Sequence, residues 1–390
     1  MVERARTAWR RMRGRKPRLV WGPMPIISIK YWSAAMRARG YESHTAVLTY
    51  YEAISQRGDF DLHREDFLGP SGREELLRDY AFYAWALRNG DVFLRFFDMG
   101  FLKQTPWRWR EDWLIRLAGK KLIASPYGSD IAVAGELGDL EGPLFEDYPA
   151  LREVSANTRR QVLHTALGAD LVIRNHQAGF MPRYDVIWPT QIAIDTDRWN
   201  DPGAGREADG GEVVIVHAPN HRHIKGTEHI LAAVERLRQE GLPIRLELLE
   251  RRQNEEVRQA ILACDIVADQ LLLPGHALFS IEAMAAGKPV LANTGALPAD
   301  LRETEAMREC PVMDSNPSNV EENLRRLVGD PDLRTKLGRE GREFVIRHHS
   351  YDATADQWEA ILEHVWAGEP LPRHLVPAGR RAAQLEAHAR

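Results

Sequence analysis

The fold is decided by the stretch PGHALFSIEAMAAGKPV at residues 274–290. A Pro-Gly turn opens it, a mostly apolar run follows, and Gly287 ends that run just before a proline. Glycine ends helices because it adopts the left-handed backbone without a steric cost, and proline cannot continue a helix. The stretch therefore predicts a tight turn, a short helix over 278–286 and a buried strand over 290–293.

Strand and helix patterns alternate on both sides of this stretch. The first half predicts strands at 18–21, 45–47, 91–97, 121–125, 170–174 and 186–188, with a helix at 28–39. The second half predicts strands at 213–217, 244–249, 266–268 and 290–293, and helices at 227–240, 255–263, 278–286, 319–327, 331–348 and 352–366. Strand–helix–strand order implies parallel pairing through right-handed crossovers. We expect an α/β protein with two doubly wound parallel sheets.

The chain has 390 residues, more than one ordinary core holds, so two domains are expected. The polar, turn-rich segment 197–212 predicts the linker between them. The predicted parts are a basic arm at 1–17, a first domain at 18–199 joined by a returning helix at 352–368, a second domain at 212–348 and a tail at 369–390.

Composition narrows the class of protein. Hydrophobic residues make up 44% and charged residues 28%, as in globular proteins, and no apolar run approaches the roughly 20 residues of a membrane-spanning helix. Two cysteines and the lack of an apolar segment after the basic start predict a cytoplasmic protein. They give no disulfide framework and no metal site.

The first eighteen residues carry seven Arg and one Lys against one Glu, a net charge of 8 − 1 = +7, whereas the whole chain carries −4. A basic stretch that contains Trp9 and Met12 can lie on an anionic membrane surface. The alternative is an ordinary solvated terminus. Binding to nucleic acid is not expected, because no nucleic-acid-binding fold follows the arm.

The loop HAPNHRHIKGT at 217–227 is the first candidate site, because ligands bind at the carboxyl ends of parallel strands. Asn220, Arg222 and Lys225 lie between the strand end and the Gly-Thr pair that opens the next helix. Cations and helix amides together suit a diphosphate. The alternative is a common loop in which Thr227 caps the helix and the cations are solvated.

The turn before the 278–286 helix is the second candidate site. Gly275 and His276 form the turn, and the amides of Ala277 and Leu278 are free to face a phosphate. Glu282, one turn into the helix, can accept hydrogen bonds from both hydroxyls of a ribose. The alternative for Glu282 is an exposed acid favoured by the helix dipole.

These two segments together resemble the C-terminal half of glycosyltransferase family 4, also called group 1. In the first half, Gly22-Pro23 resembles the family's glycine loop and YGSD at 127–130 resembles its HGSD segment. IDTDRW at 194–199 resembles the end of the family's first domain, and 343–366 resembles its terminal helices. The resemblance covers residues 18–368 and is stronger in the second half.

The resemblance implies a GT-B fold, in which two Rossmann-like domains face a cleft and the last helix returns to the first domain. It also implies a retaining transferase that needs neither metal nor cofactor and takes a sugar from a nucleoside-diphosphate sugar donor. Within it, Lys225 and Arg222 would bind the diphosphate and Glu282 the ribose. Gly22 would line the donor site, and Tyr127 and Asp130 would orient donor or acceptor.

Two departures from the family pattern leave an alternative open. Pro274 occupies the position of the first acid of the family's acid pair, and Tyr127 that of the histidine in HGSD. A tyrosine cannot shuttle protons at neutral pH as a histidine does. The alternative is a catalytically silent protein of the same fold that binds a nucleotide sugar. An epimerase or a phosphorylase is disfavoured, because the chain lacks their acid–base carboxylates and a convincing pyridoxal phosphate lysine.

Overall fold

The structure is a computed structural model that describes residues 2–50, 55–69, 72–199 and 211–378. Its strands are β1 Leu19–Trp21, β2 Ser43–Val47, β3 Leu62–His63, β4 Val92–Arg95, β5 Lys121–Ala124, β6 Leu171–Arg174, β7 Val186–Ile187, β8 Val213–His217, β9 Ile244–Leu248, β10 Ile266–Ala268, β11 Val290–Ala292 and β12 Met313–Asp314. Its helices are α1 Val2–Met12, α2 Ser28–Ala38, α3 Gly72–Asn89, α4 Glu111–Leu117, α5 Glu141–Asp147, α6 Pro149–Gly168, α7 Arg222–Lys225, α8 Thr227–Gln239, α9 Asn254–Ala263, α10 Leu278–Ala285, α11 Ala299–Arg302, α12 Glu305–Glu309, α13 Val320–Gly329, α14 Pro331–His349 and α15 Tyr351–Ala367. Every predicted strand is present, and the prediction missed only the two-residue edge strands β3 and β12.

The described strands form two parallel sheets, as predicted. Seven strands build the first in the order β3-β2-β1-β4-β5-β6-β7, and five build the second in the order β12-β11-β10-β8-β9. Strand order reverses between β1 and β4 in the first sheet and between β8 and β10 in the second. In open α/β sheets such a reversal opens a crevice at the carboxyl ends of the strands, where ligands bind.

The second sheet is buried on both faces, which explains its continuous apolar strands. Val214 and Val216 of β8 pack in one core with α10 and α14, whereas Val213 and Ile215 pack in the other with α8 and α13. Successive strand residues point to opposite faces, so one unbroken apolar run supplies both cores.

The chain divides into two compact units at boundaries that differ from the predicted domains. The first unit contains residues 1–136, 154–188 and 354–390, and the second contains 137–153 and 189–353. The segment 137–153 belongs to the second unit because the Asp147 carboxylate accepts hydrogen bonds from the His223 ring (2.6 Å) and the Ile224 amide (3.3 Å). Most of the predicted linker, and the tail from residue 379, lie outside the described residues.

The last helix returns to the first unit, as predicted. Trp358 of α15 is buried, and its ring lies 5.0 Å from that of Trp21, 5.3 Å from Trp32 and 5.2 Å from Trp188. These edge-to-face contacts bury large apolar rings, which holds α15 on the first sheet.

The predicted basic arm is helical over α1. Its Arg10 forms an ion pair with the buried Asp91 (3.0 Å), and the Arg11 guanidinium lies 4.6 Å from the centre of the Trp366 ring. Among the described residues, no helix is long and apolar enough to cross a membrane.

Helices α10 and α14 meet through glycines, and this contact supports the second candidate site. A methyl group added at Gly338 of α14 would lie 2.0 Å from the carbonyl oxygen of Gly287, which ends α10. Backbone therefore packs on backbone, and no larger side chain fits between the helices.

We expect Gly338→Ala to lower the free energy of unfolding by about 1–3 kcal/mol, because the two backbones must separate. Gly329→Ala is the matched control, since nothing lies within 4 Å of its added methyl group. Urea denaturation of both variants measures the difference. Equal unfolding free energies would contradict the close helix contact.

Candidate functional site

The segment after β8 leads into the predicted helix at Thr227, although part of the predicted loop is itself helical. It contains the short helix α7, and Gly226 then adopts a left-handed φ of +75° before Thr227 begins α8. A methyl group on Gly226 would also lie 3.0 Å from the Leu271 side chain. Glycine is required on both counts, and its turn directs the Lys225 side chain toward the end of β10.

His217 at the end of β8 joins three elements. Its buried ring donates from Nδ1 to the carbonyl oxygen of Ala268 (2.8 Å) and accepts at Nε2 from the Thr227 hydroxyl (2.8 Å). Burial lowers the pKa of His217 to about 4, so the ring is neutral at pH 7 and serves as a structural clamp.

Lys225 lies at the point where strand order reverses. Its Nζ donates to Oδ1 of Asp269 (2.8 Å) and to Oε1 of Gln270 (2.7 Å), and only 13% of its side chain is exposed. An ammonium group has three donors, so one remains available. Burial alone would raise the pKa of Asp269, but the charge of Lys225 and hydrogen bonds from Lys225 and Ser280 bring it below its usual value.

The two partners of Lys225, Asp269 and Gln270, also form hydrogen bonds with the segment that begins α10. Gln270 Nε2 donates to the carbonyl oxygens of Pro274 (3.2 Å) and Gly275 (3.1 Å). Ser280 in the first turn of α10 donates to Oδ2 of Asp269 (2.6 Å). The two predicted segments therefore meet through Asp269 and Gln270, which we name the β10 pair.

The start of α10 presents free backbone donors. Gly275 has a left-handed φ of +82°, and Ala277 at the N-cap is extended and provides no side-chain cap. The amides of Leu278, Phe279 and Ser280 have no acceptor within the helix, as in the first turn of any helix. Beside the Lys225 ammonium, these amides can bind an anion.

Glu282 lies one turn into α10 and is half-buried. Burial, opposed by the charge of Arg198 and assisted by that of Asp269, raises the pKa of its carboxyl group to about 7. Within the described part of the chain it makes no hydrogen bond or ion pair, so its oxygens can accept hydrogen bonds from a ligand.

Two predicted side chains, those of Arg222 and His276, have protein partners that the sequence did not predict. Arg222 is exposed and pairs with Glu228 (2.6 Å) and Glu250 (3.1 Å), so a phosphate must displace these carboxylates to reach it. The His276 ring packs in the domain core, with its centre 6.1 Å from Phe344 and 5.7 Å from His349, so its backbone alone is left for a ligand. Asn220 is exposed in the loop.

The predicted residues of the first unit follow strands of the first sheet. Asp130 is buried, and its carboxylate accepts hydrogen bonds from the amides of Tyr127 (3.0 Å), Gly128 (2.9 Å) and Phe97 (3.0 Å). Burial, followed by the nearby Asp98 carboxylate, raises the pKa of Asp130 to about 7. Asp130 therefore shapes the turn that follows β5.

Tyr127 and Gly22 stand on either side of the end of β4. The Tyr127 hydroxyl donates to Asp98 (3.5 Å), which also pairs with Lys103 (3.3 Å). Gly22 ends β1, and a methyl group there would lie 2.0 Å from the carbonyl oxygen of Ala46, so only glycine fits between β1 and β2.

Asp98, Lys103 and the β10 pair were not predicted from the sequence. A signal was available, because Asp269 and Gln270 directly follow the apolar strand β10, and polar residues at that position lie at the ligand-binding edge of a parallel sheet. The sequence alone does not show which residue each of these side chains hydrogen-bonds to.

Comparisons with known proteins concern the fold and the class of protein. Residues 221–360 match the model of a family described as glycosyl transferase-like. No curated protein sequence matches the chain.

Solved structures match nearly the whole chain. Sucrose-phosphate synthase from Thermosynechococcus elongatus is 16% identical, with a TM-score of 0.52 over 91% of this chain and 100% of its own. HepE from Anabaena, solved with UDP-glucose, is 14% identical, with a TM-score of 0.54 over 89% and 99%. The catalytic domain of starch synthase IV from Arabidopsis thaliana, bound to ADP and acarbose, is 10% identical, with a TM-score of 0.54 over 90% and 100%.

At these identities the solved structures establish the fold, which is GT-B, with two parallel-sheet Rossmann-like domains. The family match supplies the class of protein for the second domain. Together, the matched domain and the fold indicate a GT-B glycosyltransferase.

Proposed function

We propose that the protein transfers a sugar from a nucleoside-diphosphate sugar to a hydroxyl acceptor, with retention at the anomeric carbon and without a metal ion, as its resemblance to family 4 implies. The observation that carries the proposal is the meeting of Lys225, the β10 pair and the free amides of α10 where strand order reverses. HepE, with the same fold, was solved with UDP-glucose.

In the proposed reaction the acceptor oxygen attacks the anomeric carbon from the face that the diphosphate leaves. The bond from that carbon to the diphosphate oxygen breaks, and the acceptor proton passes to the departing phosphate. Negative charge therefore grows on the diphosphate, where the remaining donor of Lys225 and the amides of Leu278 and Phe279 would stabilise it. Glu282 would hold the ribose hydroxyls.

In the first domain, Tyr127 and Asp130 are proposed to orient donor sugar or acceptor. Asp130 would act through the turn it closes, since its carboxylate is engaged by three amides. Gly22 would let the end of β1 approach the donor closely.

The acceptor is proposed to be a glycan or a lipid-linked hydroxyl compound, as in polysaccharide assembly, with the enzyme in the cytoplasm. The charge of +7 in the first eighteen residues supports attachment to an anionic membrane surface. The enzyme would then lie on the membrane, which also contains a lipid-linked acceptor.

A specific nucleoside diphosphate is expected to raise the melting temperature by several degrees, since ligand at 100 times its Kd stabilises the folded state by about 2.7 kcal/mol. Thermal denaturation with UDP, GDP and ADP, and then with their sugars, measures this shift. Inorganic phosphate is the control for simple ionic effects. If no nucleotide exceeds phosphate, the proposed donor site is wrong.

The silent alternative is favoured by Pro274 and Tyr127, which replace an acid and a histidine of the family pattern. Calorimetry with the best nucleotide sugar, combined with a hydrolysis assay, separates the two. Tight binding without transfer or hydrolysis would assign the protein to nucleotide-sugar binding alone.

A further inference from the structure

Helix α1 exposes a stripe of apolar residues to solvent. Thr7 is its buried residue, and on the same side Glu3 and Arg10 face Lys120 and Asp91. The opposite side carries apolar residues spaced by three or four: Val2 (68% exposed), Ala5, Trp9 (45% exposed) and Met12 (78% exposed). A docked helix normally buries its apolar face, so this orientation calls for a partner.

Arginines flank the stripe. Arg6 and Arg13 are exposed beside it on one side, and the guanidinium of Arg13 lies 5.7 Å from the centre of the Trp9 ring. Arg4 and Arg11 are exposed on the other side, nearer to the docked face. Glu3 is the acidic residue of the segment, and its carboxylate pairs with Arg6 (2.9 Å). An apolar stripe between cations is typical of helices that lie in the headgroup region of a bilayer.

The helix covers the amino edge of the first sheet. Its partners Asp91 and Lys120 directly precede β4 and β5, and Arg4 lies against Gly119. Helices α4 and α6 run into β5 and β6, so their carboxyl-terminal ends lie at this same edge.

Both of these helices also expose apolar pairs spaced by four residues. On α4 the pair is Trp113 (56% exposed) and Leu117 (50%), and on α6 it is Leu163 (37%) and Leu167 (73%). The two helices are neighbours, since the His164 ring contacts the Asp112 carboxylate at 3.4 Å. Three helices therefore expose apolar side chains at or near one edge of the sheet.

The charge of this edge is positive. Arg116 and Arg160 are exposed beside the apolar pairs, whereas Arg110 lies at the other end of α4. The acids of α4, Glu111 and Asp112, are buried and pair with Arg95. Each exposed cation near an anionic surface contributes about 1 kcal/mol of attraction.

We propose that the exposed apolar residues of α1, α4 and α6 form one membrane-docking surface for an anionic lipid bilayer. The proposal extends the membrane attachment in the proposed function from the first eighteen residues to a face of the first domain. Tyr127 and Asp130 follow β5 at the opposite, carboxyl edge of the sheet, so docking leaves that edge uncovered.

Sedimentation with vesicles tests the surface. Wild type should bind vesicles that contain phosphatidylglycerol and bind pure phosphatidylcholine weakly. Leu117→Glu/Leu167→Glu, which leaves α1 intact, should weaken binding by about tenfold or more, because two apolar contacts are lost and two anions are added. Ile346→Glu is the matched control, an exposed apolar residue (47%) of α14 in the second unit, and should bind as wild type.

Equal vesicle binding by the double variant and the control would overturn the proposal. So would a dimer of wild type that the double variant dissociates, combined with no vesicle binding, because the partner would then be a second copy. The nucleotide-induced rise in melting temperature, measured on the same variants, reports their folding. If no nucleotide shifts any variant while vesicle binding still depends on the leucines, the proposed function fails and the docking surface stands.

Discussion

Lys225→Ala is expected to lower the rate of sugar transfer by about 100- to 1,000-fold, the effect of removing one donor that stabilises charge in a transition state. The ammonium is bound by the β10 pair, and Asp269 of that pair also accepts a hydrogen bond from Ser280 in the first turn of α10. This is the place where a departing diphosphate would gain negative charge. Transfer rates at saturating donor measure the loss.

Removing the lysine also leaves the Asp269 carboxylate buried without its cation, which destabilises a protein by about 3–5 kcal/mol. The double variant Lys225→Ala/Asp269→Asn separates the two effects, because it removes both charges. If the lysine binds the diphosphate, the double variant stays as inactive as the single one although its folding recovers. Activity restored in the double variant would show that Lys225 serves only to neutralise Asp269. Lys336→Ala, an exposed lysine on α14, is the surface control.

Glu282→Gln is expected to raise the Kd for the donor by about 10- to 100-fold at pH 8, because hydrogen bonds to a charged group contribute about 1.5–3 kcal/mol. A carboxylate accepts from two ribose hydroxyls at once, whereas an amide replaces one acceptor by a donor. Calorimetric titration of both proteins gives the ratio.

The pH dependence of binding separates this role from a structural one. Burial raises the pKa of Glu282 to about 7 in the ligand-free protein, so the accepting form is lost as pH falls through 7. Donor affinity should therefore fall about tenfold per pH unit below that value, and the Gln variant should show no such fall. A wild-type affinity constant from pH 5.5 to 8.5 would contradict the assignment.

The stability of the ligand-free protein should change with pH in the direction opposite to donor affinity. The folded protein holds the Glu282 proton more tightly than the unfolded chain does, so its stability decreases as pH rises from the usual range of a glutamate to about 7. Above pH 7 the Gln variant should therefore melt at a higher temperature than wild type. A residue whose charge destabilises the fold but strengthens ligand binding belongs to a binding site.

The sequence by itself determined the strands of both sheets except the two-residue edge strands β3 and β12. Apolar runs such as 213–217 and 266–268 become strands because a strand between two layers of helices buries its side chains on both faces, and the run itself shows this. The same local reasoning found Gly226, Gly275 and Lys225, since a glycine that turns the chain after a strand marks the ligand-binding edge.

Only the tertiary structure decided which side chains meet. Asp269 and Gln270 join Lys225 to the turn before α10, Arg222 turns to two surface carboxylates, and the His276 ring enters the core. It also assigned 137–153 to the second unit. The physical reason is that these contacts join residues far apart along the chain. A local pattern of apolar residues indicates whether a segment is a helix or a strand. The direction of a loop side chain depends instead on the residues that pack against it.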